Sequence, residues 1–556
     1  MRKPGSATTF TAIFLSLMLF CAARGYAQAQ LGNVQFPNSG KPAAQEAFLK
    51  GLAALHSFWY EEALEYFEAA AKADPDFAMA RWGAAMTYNH PLWGQQEAEP
   101  ARKALALIRD TGKLTPRERA FIDAARALYG EGDKLARDQA YAAAMEKMYR
   151  DYPDDLESAA FYSLSLLGTV RPVDKGWVRQ MRAGAIALEV YQKNPLHPGA
   201  AHYVIHAFDD PEHAIIALPA ARRYADIAPA AHHAQHMPAH IFLQLGMWPE
   251  AARSNETAWR VSDEWVTGKK LSPGLRDYHS NHWLTYVYAQ QGRHKAAEAL
   301  VRRLREDRQK HGTANVRFYD DTLGLFIVET ERWDLIDQLL SEPATAAAAG
   351  GEHAGHHGGA APAPAVASTP VGAMGPQRRG VSVPQFVRAY AAAAMSAPNA
   401  GQLLGELRAL RQQSGDTYGA KSLEIRELEI TALLAASRRQ YDEALSALKR
   451  ATILEEEMAP PSGPPSLLKP SHELLGEISL RAGKPREAMA AFGTALARQP
   501  NRARSLLGLA RAAAAAGDKA AATTAYAKLL SIWQQADSGL AELREARDFM
   551  GQASLR

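Results

Sequence analysis

Apolar residues recur along this chain at helical spacing, and the pattern returns as a unit. From Glu46 to Pro75 the chain reads EAFLKGLAALHSFWYEEALEYFEAAAKADP, with Gly51, Ala63, Phe67, Ala70 and Pro75 at set intervals. Near the other end SHELLGEISLRAGKPREAMAAFGTALARQP repeats it through Gly476, Gly483, Ala488, Phe492, Ala495 and Pro500. A further unit follows 34 residues later with Gly517, Ala522 and Tyr526. Small residues let two antiparallel helices approach closely, an aromatic four residues on fills the gap between pairs, and proline ends the second helix. One such pair cannot bury its own apolar face, so pairs stack. The expected fold is all-α, an α-solenoid of antiparallel helix pairs.

A histidine ladder keeps step with the repeat. Counted back from Ala217, Ala251 and Ala297, the offsets 18, 15 and 11 define nine slots, and seven hold histidine: His202, His206, His233, His236, His240, His279 and His282. Gly199 and Tyr286 break the run. With 18 histidines in 556 residues, chance would fill less than one slot. The offsets are positions i, i+3 and i+7 of one helix and form one stripe. The same slots before Ala444, Ala488 and Ala522 hold no histidine and include Glu429, Glu473, Glu477 and Arg511, so the repeat itself does not require it.

Three readings of the ladder stay open on the sequence. It can be a transition-metal site for zinc or copper, since His202 with His206 and His236 with His240 are i,i+4 pairs able to share an ion, with His279 or His282 completing it. Asp209 and Asp210 are then candidates to orient a ligand. It can line a groove for a protein or peptide, with Tyr203, Tyr278, Trp283, His90 and Trp93 as stacking surface. Some of the histidines can also serve buried backbone groups. His232 and His56 read as surface residues, and His213 as part of a helix cap. Met237 lies beside the stripe, and Pro238 falls inside its helix. Extra residues around Glu264 to Arg276 stretch one interval from 34 to 46 and suggest a loop.

The termini and composition narrow the setting. Arg2 and Lys3 precede the apolar run Phe10–Ala23, and small-residue cleavage sites follow at Ala27 and Ala29, so residues 1–29 read as a secretory signal. The single cysteine, Cys21, lies inside it, which leaves the mature chain without thiolate ligands. Export to the periplasm or beyond is expected, with no transmembrane segment in the mature chain. The formal charge is +3, and the signal carries three of the cations and no acid, so the mature chain is near neutral. Nucleic acid, which needs a basic face, is not an expected partner. Residues 341–383 are rich in Ala, Gly and Pro, include His353, His356 and His357, and read as a disordered linker. It would divide an N-terminal array, 30–340, from a C-terminal one, 384–556. A Pro-rich break from Pro460 to Pro470 is expected to loop between two later repeats.

The spacing of the repeats resembles the tetratricopeptide repeat (TPR). The stretch HPGAAHYVIHAFDDPEHA with APAAHHAQHMPAHIFLQLGMWPEAARSNETAW resembles secreted bacterial proteins of that type, over roughly residues 40 to 340. The resemblance implies first helices that line a concave groove, and so a ladder facing it, with protein–protein scaffolding as the general role. No H-E-x-x-H, nucleophile elbow, phosphate loop or C-x-x-C-H is present, which favours a binding protein over an enzyme. The expectation is an exported TPR scaffold acting in the cell envelope; the alternative is a periplasmic His-ligated metal protein, with a metal-dependent enzyme as its extension. Expressed with export, the chain should begin at Gln28 or Gln30, as read by N-terminal sequencing. An intact Met1 on the exported protein would remove the signal reading.

Overall fold

A computed structural model describes residues 31–109, 112–171, 176–311, 318–340, 383–413 and 417–554. The signal at 1–29 and the linker histidines lie outside the described residues. What is described is helix after helix, from Pro42–His56 to Ala541–Ser554, with one two-residue antiparallel bridge between Asn89–His90 and Gln95–Gln96.

The helix ends follow local chemistry. Pro116 opens its helix at a position whose N–H needs no intrahelical partner, and Thr115 with Glu118 forms a reciprocal capping box. Asp133, Asp155 and Asp277 cap their helices through side-chain oxygens. Pro238 ends the regular turn after His236, so the stripe runs on two short helices, His232–His236 and Pro238–Gln244. The residues around Glu264 to Arg276 are only partly loop. The helix Trp248–Gly268 runs through the first of them, and Arg276 Nε donates to Asp263 at 2.8 Å.

The repeat spacing has a single packing cause, seen at both ends of the chain. Phe67, on the helix Tyr60–Ala73, sits against Gly51 of its own pair and Gly83 of the next helix. A Cβ on Gly51 would fall 2.9 Å from the ring, and one on Gly83 closer still. Phe492 repeats the arrangement between Gly476, where a Cβ would stand at 2.8 Å, and Gly508. The aromatic ring is the spacer between successive pairs, and glycine is the residue that admits it.

The chain forms two compact units. The first gathers the described residues of Met1–Val170, Trp177–Ala207 and Pro219–Met237, and the second those of Arg171–Gly176, Phe208–Leu218 and Pro238–Arg556. In the first, Phe36 packs on Phe48, Trp82 and Phe121 at centroid distances of 5.1–5.7 Å. In the second, one apolar core runs from Ala239 to Ala546. The expected division between arrays lay at 341–383, yet the helices on either side of that segment share this core. Gly324 lies against Val383 and Val387, so the helix Tyr319–Thr330 receives Val383–Ala394 directly as a packing neighbour. Buried Arg502 ties the same unit together: its guanidinium pairs with Glu473 at 2.8 Å and Glu329 at 2.7 Å and donates to the Tyr286 hydroxyl at 3.0 Å.

Gly508→Ala should cost about 1–3 kcal/mol, since its Cβ must displace the Phe492 ring in a packed core. Phe492→Leu in the same chain should recover part of the loss. Urea melts followed by circular dichroism test this, and an unchanged midpoint for Gly508→Ala would refute the spacer role.

Candidate functional site: a buried three-histidine cluster

Three ladder histidines meet in the first unit. His202 and His206 come from the helix Pro198–Ala207, and His233 from His232–His236. His202 Nδ1 lies 2.7 Å from the main-chain oxygen of His56, so Nδ1 carries the proton and Nε2 the lone pair. Onto that lone pair converge His206 Nε2 at 3.0 Å and His233 Nε2 at 3.2 Å. One in-plane lone pair serves one N–H donor well and two poorly. Two nitrogens bound at ~2.0–2.1 Å to one tetrahedral ion stand about 3.3 Å apart. The two spacings to His202 are close to that separation.

Aromatic rings enclose the cluster. Phe58 packs on His202, His206 and His233 at 4.3, 5.9 and 5.6 Å, Trp93 on His233 at 6.1 Å, and Tyr224 stacks on His202 at 5.2 Å. Phe58 holds a left-handed backbone, φ 54°, which costs a bulky residue conformational energy and places its ring inward after the helix Pro42–His56. Burial, and then the charges of His202, His236, His206 and His232, push the His233 imidazole well below its ordinary range. The neutral ring is the ligand form. His236, in the same unit, has its ring 6.1 Å from that of His233.

Behind the cluster lies a wholly buried carboxylate. Glu157 accepts from His56 Nε2 at 2.7 Å and faces His197 Nε2 at 3.3 Å. His197 Nδ1 accepts the backbone N–H of Ala200 at 3.1 Å, capping the ladder helix, so its Nε2 carries the proton toward Glu157. His56 Nδ1 meets the Tyr203 hydroxyl at 2.8 Å. Burial would raise the Glu157 carboxyl, but the charges and hydrogen bonds of His56 and His197 outweigh it and hold the group well below the usual carboxylate range. Gly199, the broken rung of the ladder, now has a reason: a Cβ there would lie 2.5 Å from His56 Nδ1. His56 fills the slot from the neighbouring helix.

The remaining ladder members belong to the second unit. His240 Nδ1 lies 2.6 Å from Asp209, with Trp283 at 4.3 Å and His279 at 6.4 Å between ring centroids. His282 Nδ1 donates to Thr322, whose own hydroxyl donates to the Phe318 carbonyl. Asp210 caps a turn, accepting from the backbone of Glu212 and His213 and from the His213 ring.

The expected open groove is corrected by burial. Tyr203, Tyr278, Trp283, His90 and Trp93 are all buried, as are His202, His233, His236, His240 and His279, and His206 is half-buried. Tyr203 serves His56, Tyr278 meets Asp307 at 3.2 Å, and His90 stacks on Tyr60 at 4.1 Å. In the second unit the cover is the Pro-rich loop: Gln244 Nε2 donates to the Pro461 carbonyl at 2.9 Å, and Gly463 lies against the Trp283 ring. That loop was expected to join later repeats and also folds back over the ladder. His232, read as a surface residue, is buried beside Trp59. His56 is buried too, and Met237 lies fully inside. Glu429 and Glu473, from ladder slots of the later repeats, are likewise buried, with Glu429 bonded to Ser471 at 2.9 Å.

The helix pairing and the glycine–phenylalanine spacer are those of a known repeat. Residues 474–539 match the tetratricopeptide repeat family model. The matched segment contains the Phe492 spacer with Gly476 and Gly508. No curated protein sequence matches the chain. Among solved structures, it is similar to the APC/C hetero-tetramer Cut9–Hcn1, at 11% identity over 96% of this chain and 82% of that one, with a TM-score of 0.31. It is also similar to yeast Tom70, at 10% identity over 93% and 89% of the two chains, with a TM-score of 0.23.

Glu157 and His197 were not legible as site residues from the sequence. Gly199 was the available signal, since a glycine in a slot otherwise filled by histidine marks a side chain arriving from elsewhere. His282 supplies a pH test. Burial pushes its imidazole down to about 4, against an ordinary value of 6.5, with Asp321 acting in the opposite direction. Between those values the unfolded chain binds a proton that the folded chain does not. Stability is therefore full above the ordinary value and falls as pH drops toward about 4. Replacing His282 with Gln should flatten the acid-side fall in the Tm of metal-free protein. An identical Tm–pH slope would overturn the assignment.

Proposed function

We propose that this chain is a helical-repeat scaffold of the cell envelope that carries a transition-metal ion on His202, His206 and His233. The tetratricopeptide repeat is a protein-interaction fold, and that general role extends to this chain. The single observation carrying the metal reading is the convergence of three Nε2 atoms, with the His202 tautomer set by the His56 carbonyl. Imidazole ligands without thiolate suit zinc or copper. Phe58, Trp93 and Tyr224 keep the surroundings dry, which strengthens the ion–ligand attraction. The apolar run Phe10–Ala23 behind Arg2 and Lys3 supports export. Carriage of an ion, rather than a reaction, is the reading proposed, because His202 and His233 are buried and the His202 ring is fixed by the main chain.

The test is metal content of the mature chain, purified without a histidine tag, stripped and then challenged with zinc and with copper. His202→Ala or His233→Ala should each lose one equivalent while keeping the helical circular dichroism signal. Metal content equal to that of the unmodified chain would overturn the site. Glu157→Gln should keep the ligands but weaken the site, since it disturbs the His56 side chain and with it the position of the main-chain oxygen that orients His202; an effect of about 10-fold is expected for such an outer partner.

A further inference from the structure

We infer that His240 and His279, in the second unit, form a separate metal-binding site whose first ligand is oriented by Asp209. It uses residues other than His202, His206 and His233 and does not depend on that reading.

The carboxylate–imidazole geometry is the starting point. His240 Nδ1 and Asp209 Oδ2 stand 2.6 Å apart, and both side chains are buried. The carboxylate takes the Nδ1 proton as its hydrogen-bond partner, which leaves the lone pair on Nε2. Metal-bound histidines are held in this way, with the far N–H given to a carboxylate. Asp209 is itself fixed: Gln244 Nε2 donates to its other oxygen at 3.1 Å. The two oxygens are thus committed to orienting His240 and are not offered as ligands.

The second ligand is in reach. A ring nitrogen of His279 lies within 4.8 Å of one on His240. The separation of about 3.3 Å that two ligands on one tetrahedral ion require falls inside that limit. Asp277 holds the helix end that bears His279 by capping Ser280 at 3.0 Å. Trp283 lies over His240 at 4.3 Å and against His279 at 5.5 Å, forming one wall. The Pro-rich loop forms a second: Gln244 bonds Asp209 and the Pro461 carbonyl together, so the loop is linked through one amide to the group that orients the ligand. Two imidazoles in a shielded pocket suit zinc or copper, with the remaining positions left to water or another small donor.

The experiment uses the full mature chain without a tag, with His353, His356 and His357 replaced by Ala so that the linker holds no metal. Zinc alone is the probe, counted by mass spectrometry after desalting and titrated calorimetrically. The parent chain should hold two equivalents. His240→Ala and His279→Ala should each hold one, while His233→Ala loses the other. Asp209→Asn should still reach two at saturation, with one of them weakened about 10–100-fold. Zinc content unchanged in both His240→Ala and His279→Ala overturns this site and leaves the first standing. Loss in those variants but not in His233→Ala overturns the first and leaves this one. Unchanged affinity in Asp209→Asn refutes the orienting role.

Discussion

The close approach of helices over glycine is the constraint on which the rest depends. Phe67 and Phe492 can act as spacers only because Gly51, Gly83, Gly476 and Gly508 offer no Cβ to oppose them. That spacing sets where each first helix stands relative to the next, and therefore where its stripe points. The His202 Nδ1 bond to the His56 carbonyl joins two such helices, Pro42–His56 and Pro198–Ala207. It exists because Gly199 lets the His56 ring press against the helix carrying His202. The packing rule and the site chemistry are the same contact seen at two scales.

Burial decides what the histidines can do. An imidazole on an open groove would titrate near its ordinary range, and its ring would be available to any passing chain. Here the rings are enclosed, and His233 and His56 are both pushed toward the neutral form by burial. Glu157 is held in its ionised form against its own burial by the charges and hydrogen bonds of His56 and His197. A buried negative charge behind the His202 carbonyl partner also makes a cation at the meeting point of the Nε2 atoms more favourable, since little solvent screens the two.

Much of this was legible in the sequence, and the illegible part has a physical reason. The helix pairs follow from local periodicity, and Phe492 with Gly476 is visible as spacing alone, whereas Gly508 is found only in the packing. The ladder, too, is a local pattern, because positions i, i+3 and i+7 share a face whatever covers it. The cover is what the sequence hides. The Pro461–Gly463 stretch reaches Gln244 and Trp283 from far along the chain, 217 residues away in the case of Gln244. Phe58 turns inward through a backbone conformation that no motif announces. His56 looked like a helix-end surface residue because its partner, Glu157, lies 101 positions on.

The linker shows the same limit from the other side. Its composition is read as a break in helical pattern, but composition says nothing about whether the apolar faces on either side of it are satisfied. The helix Tyr319–Thr330 presents Gly324, and the next described helix answers with Val383 and Val387. An unpaired repeat face is costly in water at about 25 cal/mol per Å² of apolar surface, while lengthening a connecting loop costs only about 0.6 kcal/mol per doubling. The packing term outweighs the loop term, so stacking continues across the insertion. A compositional break is therefore a statement about the connection, and the boundary of a packed unit has to be sought where apolar faces stop meeting.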